Sequence, residues 1–178
     1  MKHIILIGFK HVGKSTIAKL LAVALSRAHL DTDAIIEERH AQEHGLPLSC
    51  REIMLAVGEE KFRVLEREAL ASVLQTAAPL VISVGGGAPL DPDNQTGLKE
   101  HIVVHVTGSK GTVYERIMLN GRPAFFPAGE NAFGAFQKLW NERRSAYESL
   151  ASVTIDNNAT PDEAVERLKL IITANSLA

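Results

Sequence analysis

The chain has 178 residues, 46% of them hydrophobic, 22% charged and 5% aromatic, the balance of a globular domain with an ordinary core. Its 19 basic and 21 acidic side chains leave a formal charge of -2, so no overall positive field draws it to nucleic acid or to an anionic membrane. A lone Cys50 excludes an internal disulfide and a cysteine-built zinc cage, no run reaches the roughly 18 apolar residues of a bilayer span, and the short apolar start lacks the length and cleavage site of an export signal. A cytoplasmic monomer is the expectation.

In chain order, Ile4-Ile5-Leu6-Ile7 is an unbroken apolar run ending at Gly8, the pattern of a strand buried on both faces. Ile17, Leu20, Leu21, Ala24, Leu25 and Ala28 then recur at helical spacing, which predicts an amphipathic helix over about 14–28. His29-Leu30 before Asp31 is a very short strand, identified mainly by its place between two helices. Helices are predicted over about 33–43 and 59–74, followed by a strand at 80–84 that runs into Gly85-Gly86-Gly87, and another at 102–106. Helices over about 111–118 and 132–149 precede a strand at 152–155. The last helix, about 161–172, is announced by Thr160-Pro161-Asp162-Glu163, which joins an N-cap, a proline at the first helical position and a capping-box glutamate. Strands alternating with helices predict one α/β domain over residues 1–178, a five-stranded parallel sheet with helices on both faces. Between the helices near 118 and 132, two prolines and two glycines forbid regular structure while apolar residues remain to close over a ligand; a mobile lid is expected over about 119–132.

Gly8-Phe9-Lys10-His11-Val12-Gly13-Lys14-Ser15 fits G-x-x-x-x-G-K-S and lies between a buried strand and an amphipathic helix, where that motif must lie. Such a loop wraps phosphate oxygens in backbone N–H groups, and the first turn of the helix adds its positive end. Lys14 would reach the β- and γ-phosphates, Ser15 would ligate Mg²⁺, and Thr16 would assist. A nucleoside triphosphate is implied. The loop alone does not choose a reaction, since kinases, GTPases and motor ATPases share it. No guanine-reading N-K-x-D segment is present, and the third strand ends in Ser83-Val84 and glycines rather than in an acid, so a small-molecule kinase remains.

On the acceptor side, Asp31 and Asp33 point the same way if the backbone stays extended, toward the crevice above the strand ends. Asp31 would hold Mg²⁺ through a water, and Asp33 would take the proton of an attacking hydroxyl. Alternatively the two aspartates cap the next helix. Glu59, Arg63 and Glu66 share one helical face, either as a salt-bridged surface or with Arg63 binding a substrate carboxylate. The glycine triplet either exposes amides to a polar substrate or makes a tight turn.

The phosphate loop, Asp31-Thr32-Asp33, Gly58-Glu59 with Phe62-Arg63 and Glu66, the glycine triplet, Arg122-Pro123 and Arg143-x-x-x-Tyr147 resemble, in this order and over nearly the whole chain, the shikimate kinases. The resemblance implies a P-loop, nucleoside-monophosphate-kinase-like fold and ATP-dependent phosphorylation of the shikimate 3-hydroxyl. It implies Lys14, Asp33 and Arg122 as catalytic residues, Arg122 swinging from the lid onto the phosphates. Asp33, Arg63, Gly86, Gly87 and Arg143 would hold shikimate, the two arginines on its carboxylate, within an acceptor-binding helical segment of about 33–62. Gly8, His11, Val12, Gly13, Lys14, Ser15, Thr16, Arg116 and Arg122 would face the nucleotide, with Asn157 in an adenine-side loop of mostly backbone contacts, and Ser15 and Asp31 would hold Mg²⁺. The chain departs from the family at His11, commonly a glycine, at Lys10, commonly a methionine or similar, at Ala124-Phe125 in the lid, and in a longer 41–50 segment. A kinase for another polyol acid such as gluconate and a noncatalytic ATP-binding module are the alternatives. His40 and His44 are read as surface histidines rather than a zinc site, Cys50 as a small semi-buried residue, and Trp140 as packing.

Overall fold

The computed structural model describes residues 2–119, 121, 123, 126, 129 and 131–174. Five strands, β1 (Ile4–Ile7), β2 (His29–Asp31), β3 (Val81–Ser83), β4 (Ile102–Thr107) and β5 (Val153–Asp156), form one sheet in the order β2-β3-β1-β4-β5. Every neighbouring pair is parallel, with Ile5 opposite Ile82 and Val103, and Asp31 opposite Ser83. The expected five-stranded parallel sheet is therefore present. β1 lies at its centre with all four side chains buried, each such aliphatic contributing about 1.5–3 kcal/mol of transfer energy.

The helices are α1 (Lys14–Ala24), α2 (Thr32–His44), α3 (Cys50–Val57), α4 (Glu59–Leu74), α5 (Pro92–Leu98), α6 (Lys110–Leu119), α7 (Ala132–Leu150) and α8 (Pro161–Ala174). Two of them, α3 and α5, were not expected from periodicity. Both are short, and both carry their start signal: Ser49 and Glu52 make a reciprocal capping box before α3, and Asp91 caps α5 ahead of Pro92. The first helix stops at Ala24, four residues before the predicted end, because Ser26 turns to φ 52 and Arg27 bonds back to Ala22. β3 is likewise shorter than the predicted strand, since Val84 leads directly into the glycines.

The main core joins both faces of the sheet, while Ile36, Ile53, Phe62 and Ala69 form a separate small core where α2, α3 and α4 meet. Trp140 packs on Phe9 and Phe136, with ring centroids 5.3 and 5.5 Å away, as a packing residue should. Only His44 is the surface histidine expected: His40 is buried, with Nδ1 3.3 Å from the Leu46 carbonyl oxygen, and the two rings stack at 4.3 Å, while no metal-binding cluster occurs among the described residues. Among those residues no helix is long and apolar enough to cross a membrane. Half of the expected lid, namely Asn120, Arg122, Ala124, Phe125, Pro127, Ala128 and Glu130, lies outside the described residues.

Candidate active site

The loop after β1 is shaped by backbone constraints before any ligand is considered. Gly13 takes φ 102 as the N-cap of α1, which leaves the first helical N–H groups without a side-chain cap and directed at the groove. Lys14 is 8% exposed, and its Nζ donates to the Phe9 carbonyl at 2.9 Å, curling the side chain back over the loop. Burial drives its pKa down to about 8, while Asp33 and Asp31 pull it up. His11 sits at φ 61, the left-handed region, and burial followed by the charges of Lys10, Lys14 and Arg116 keeps its imidazole below the usual histidine range.

Beside the loop, Asp31 is tied from several directions. Its Oδ2 accepts from Ser15 Oγ at 2.7 Å and from Ser83 Oγ at 2.6 Å, and its Oδ1 accepts from the Asp33 backbone N–H at 3.0 Å. Burial raises this carboxyl, yet the hydrogen bonds from Ser83, Ser15 and the backbone outweigh burial and hold it below the usual aspartate range. Ser83 spends its only proton on Asp31, so His29 Nε2, 3.0 Å from the same hydroxyl, must be the donor in that contact. Asp31 alone is therefore the helix cap; Asp33 lies inside the first turn of α2 with its carboxylate turned to the cleft.

Asp33 behaves oppositely. Burial, repulsion from Asp31 and the nearness of Glu66 outweigh the attraction of Lys14 and Lys10, lifting its pKa from 3.8 to about 6. Gly85 makes the approach possible: a Cβ there would stand 2.5 Å from Asp33 Oδ1. The Gly85 N–H donates to Thr32 Oγ1 at 3.0 Å, locking the loop against the start of α2. A Cβ at Gly87 would collide with the Arg63 guanidinium in the same way.

Arg63 makes the salt-bridged face and also stands at a cavity. It donates to Glu59 at 2.9 Å and to Glu66 at 2.5 Å, and it also lines a pocket with Gly87 and Arg143. Glu66 is 4% exposed, and burial raises its carboxyl even against the pull of Arg63. Arg143 is buried on α7 with its Cζ 5.3 Å from the Phe9 ring centroid, and one turn on Tyr147 donates to the Gly86 carbonyl at 2.6 Å. Arg63 and Arg143 thus border the pocket together with Arg51, Arg63 being steered by Glu59 and Glu66.

Two cavities result. A groove is lined by Lys10, His11, Gly13, Lys14, Ser15, Thr16, Asp31, Asp33, Val84, Gly86 and Arg116, and a second pocket by residues that include Asp33, Arg63, Gly86, Gly87 and Arg143. They share Lys10, Asp33 and Gly86. Three residues anticipated at the nucleotide stand beneath the loop rather than on the groove wall. Gly8 lies against Val106, the Val12 side chain is buried, and Asn157 Nδ2 donates to the Val12 carbonyl at 2.9 Å while packing under Gly13. Arg122 lies outside the described residues. Sequence reasoning gave no acceptor role to Lys10, Arg51 or Met54, which line the second pocket with Cys50, Phe62 and Pro123. The capping box at Ser49 and Glu52 was the available signal for the helix that carries Arg51 and Met54.

The family model described as shikimate kinase matches residues 10–173. A shikimate kinase of Thermobifida fusca (strain YX) is 35% identical over 164 residues, spanning 91% of this chain and 90% of that one. The solved shikimate kinase of Acinetobacter baumannii, in complex with shikimate, superposes with a TM-score of 0.87 at 26% identity, covering 100% of this chain and 96% of its own. A gluconokinase of Sinorhizobium meliloti superposes less closely, with a TM-score of 0.54 at 17% identity over 98% and 97% of the two chains, a likeness of fold alone.

Proposed function

We infer that the chain, which belongs to the shikimate kinase family, transfers the γ-phosphoryl group of ATP to the 3-hydroxyl of shikimate, giving 3-phosphoshikimate and ADP. The observation that carries this reading is the junction of the two cavities: Asp33 borders both the phosphate groove and the pocket that Arg63 and Arg143 help to line. A donor phosphate in one cavity and an acceptor hydroxyl in the other meet there.

The roles follow from the chemistry of each group. Arg63 and Arg143 hold the acceptor carboxylate, and Gly86 and Gly87 let the ring lie close to the backbone. Asp33 orients the hydroxyl, and with a pKa of about 6 it is ionised at neutral pH yet basic enough to take the proton as the new bond forms. Gly13, Lys14, Ser15 and Thr16 cradle the β- and γ-phosphates, with His11 and Arg116 along the nucleotide side. Gly8, Val12 and Asn157 keep the loop in shape from below. The oxygen donors Ser15 and Asp31, 2.7 Å apart with Asp31 held ionised, suit a hard divalent ion. Mg²⁺ held there supplies charge neutralisation at the β- and γ-phosphates.

The same reading takes residues 1–178 as one domain, with about 33–62 on the acceptor side and about 119–132 as a lid from which Arg122 meets the phosphates. The enzyme is placed in the cytoplasm as a monomer, with two small molecules as its partners. ADP release measured with shikimate, gluconate and nucleoside monophosphates tests the assignment. Turnover with shikimate alone is expected, and turnover confined to gluconate or a monophosphate overturns it.

A further inference from the structure

The loop residue Lys10 occupies a position that none of the roles above uses. It is one of three residues shared by the phosphate groove and the acceptor pocket, beside Asp33 and Gly86. Its side chain is exposed, and among the described residues its ammonium makes no hydrogen bond or ion pair. Its backbone is held all the same: a Cβ on Gly86 would stand 3.4 Å from the Lys10 nitrogen, so the glycine loop and the phosphate loop are in contact here. The charge acts on the reacting groups, since Lys10 lowers the pKa of both Lys14 and Asp33. Lys14 approaches the phosphates from inside the loop, with its ammonium tied to the Phe9 carbonyl. Lys10 stands at the seam between the two cavities, which the moving group must cross.

We propose that Lys10 is a further catalytic residue, a second lysine whose ammonium contacts the γ-phosphoryl group while it passes from ATP to the acceptor. The inference rests on the phosphotransfer reading above. In that step the bond from the γ-phosphorus to the β,γ-bridging oxygen breaks with its electron pair left on ADP. The acceptor oxygen bonds to the phosphorus, and its proton goes to Asp33. Negative charge spreads over the equatorial oxygens during transfer, and a flexible cation at the seam is placed to meet it there rather than in bound ATP. A ligand for which Lys10 acts in this way gains more in the transition state than in either ground state.

Lys10→Met keeps most of the stem and removes the charge. Its kcat is expected to fall roughly tenfold to a hundredfold, with the KM for ATP and for shikimate within about twofold of wild type. Lys10→Arg, which keeps the charge, should recover most of the rate. Calorimetry separates this role from a structural one: the variant should bind ADP as wild type does, but bind ADP with aluminium fluoride and shikimate, a mimic of the transferring phosphoryl group, at least tenfold more weakly. An unchanged kcat in Lys10→Met, or equal weakening of ADP and of the mimic, overturns the proposal. Failure of the wild-type protein to form the mimic complex with shikimate would instead count against the phosphotransfer reading itself.

Discussion

The phosphate side and the acceptor side of the cleft are built on different principles. The first is eight consecutive residues whose working groups are mostly backbone amides, oriented by one left-handed glycine and the start of α1. The second gathers side chains from α2, α3, α4 and α7 around the glycine loop after β3, and key ones are steered by others: Arg63 by Glu59 and Glu66, Asp33 by the space at Gly85. A site made of main chain tolerates unusual side chains, so Lys10 and His11 can stand where the family commonly has other residues. A site made of side chains tolerates little change at any one of them, and its small separate core of Ile36, Ile53, Phe62 and Ala69 gives it an independent packing base.

The sharpest way to break this contrast is to change a carboxylate that belongs to both sides. Asp33→Asn should lower kcat by about 10³-fold, within the usual range for removing a general base. It should also raise stability at neutral pH by at most about 3 kcal/mol, because the folded protein lifts the carboxyl from 3.8 to about 6 and so holds an ionised group at a cost. The sign is definite: a raised acid supports the fold fully below pH 4 and loses that support as pH rises through about 6. Thermal melts of wild type and variant should therefore diverge between pH 4 and 6 and stay apart above it. Stability equal to wild type at pH 7 would remove the argument that Asp33 is held in strain for function.

Arg63→Ala probes the acceptor side alone. The KM for shikimate should rise about tenfold to a hundredfold while the KM for ATP moves little, as steady-state kinetics with each substrate varied in turn will show. A matching rise for ATP would mean the two sides are not separable. The smallest effect is expected on the main-chain side. His11→Gly relieves a non-glycine residue at φ 61 and should stabilise the fold by no more than about 1 kcal/mol, with ADP affinity by calorimetry within about threefold. A large loss of ADP affinity would show that the imidazole, and not only the backbone, serves the nucleotide.

The same contrast explains what was legible in the sequence. The phosphate loop is legible as a motif because its chemistry follows from consecutive residues and local backbone geometry, whereas the place of Lys10 on the acceptor pocket is not. Asp31 and Asp33 were found as a pair, but their division of labour depends on Ser83 and Gly85, which reach them from a strand 52 residues away in sequence. Alternation of strands and helices was enough for the sheet, whereas α3, with 8 residues, is too short for a strong helical period. Its capping box was present and overlooked, and with it Arg51 and Met54 on the acceptor wall. Asn157 is assigned to an adenine-side loop by resemblance alone, and nothing local in the sequence says that its side-chain amide would donate to the Val12 carbonyl.

That last contact has a consequence for how the protein comes into being. The amide that props up the loop carrying Lys14 at Val12 is made 145 residues after it, just after β5. Nascent chains halted before β5 should carry every atom of the phosphate motif and still grip nucleotide poorly. The capacity to use ATP therefore waits on a segment distant in sequence from the motif that binds it.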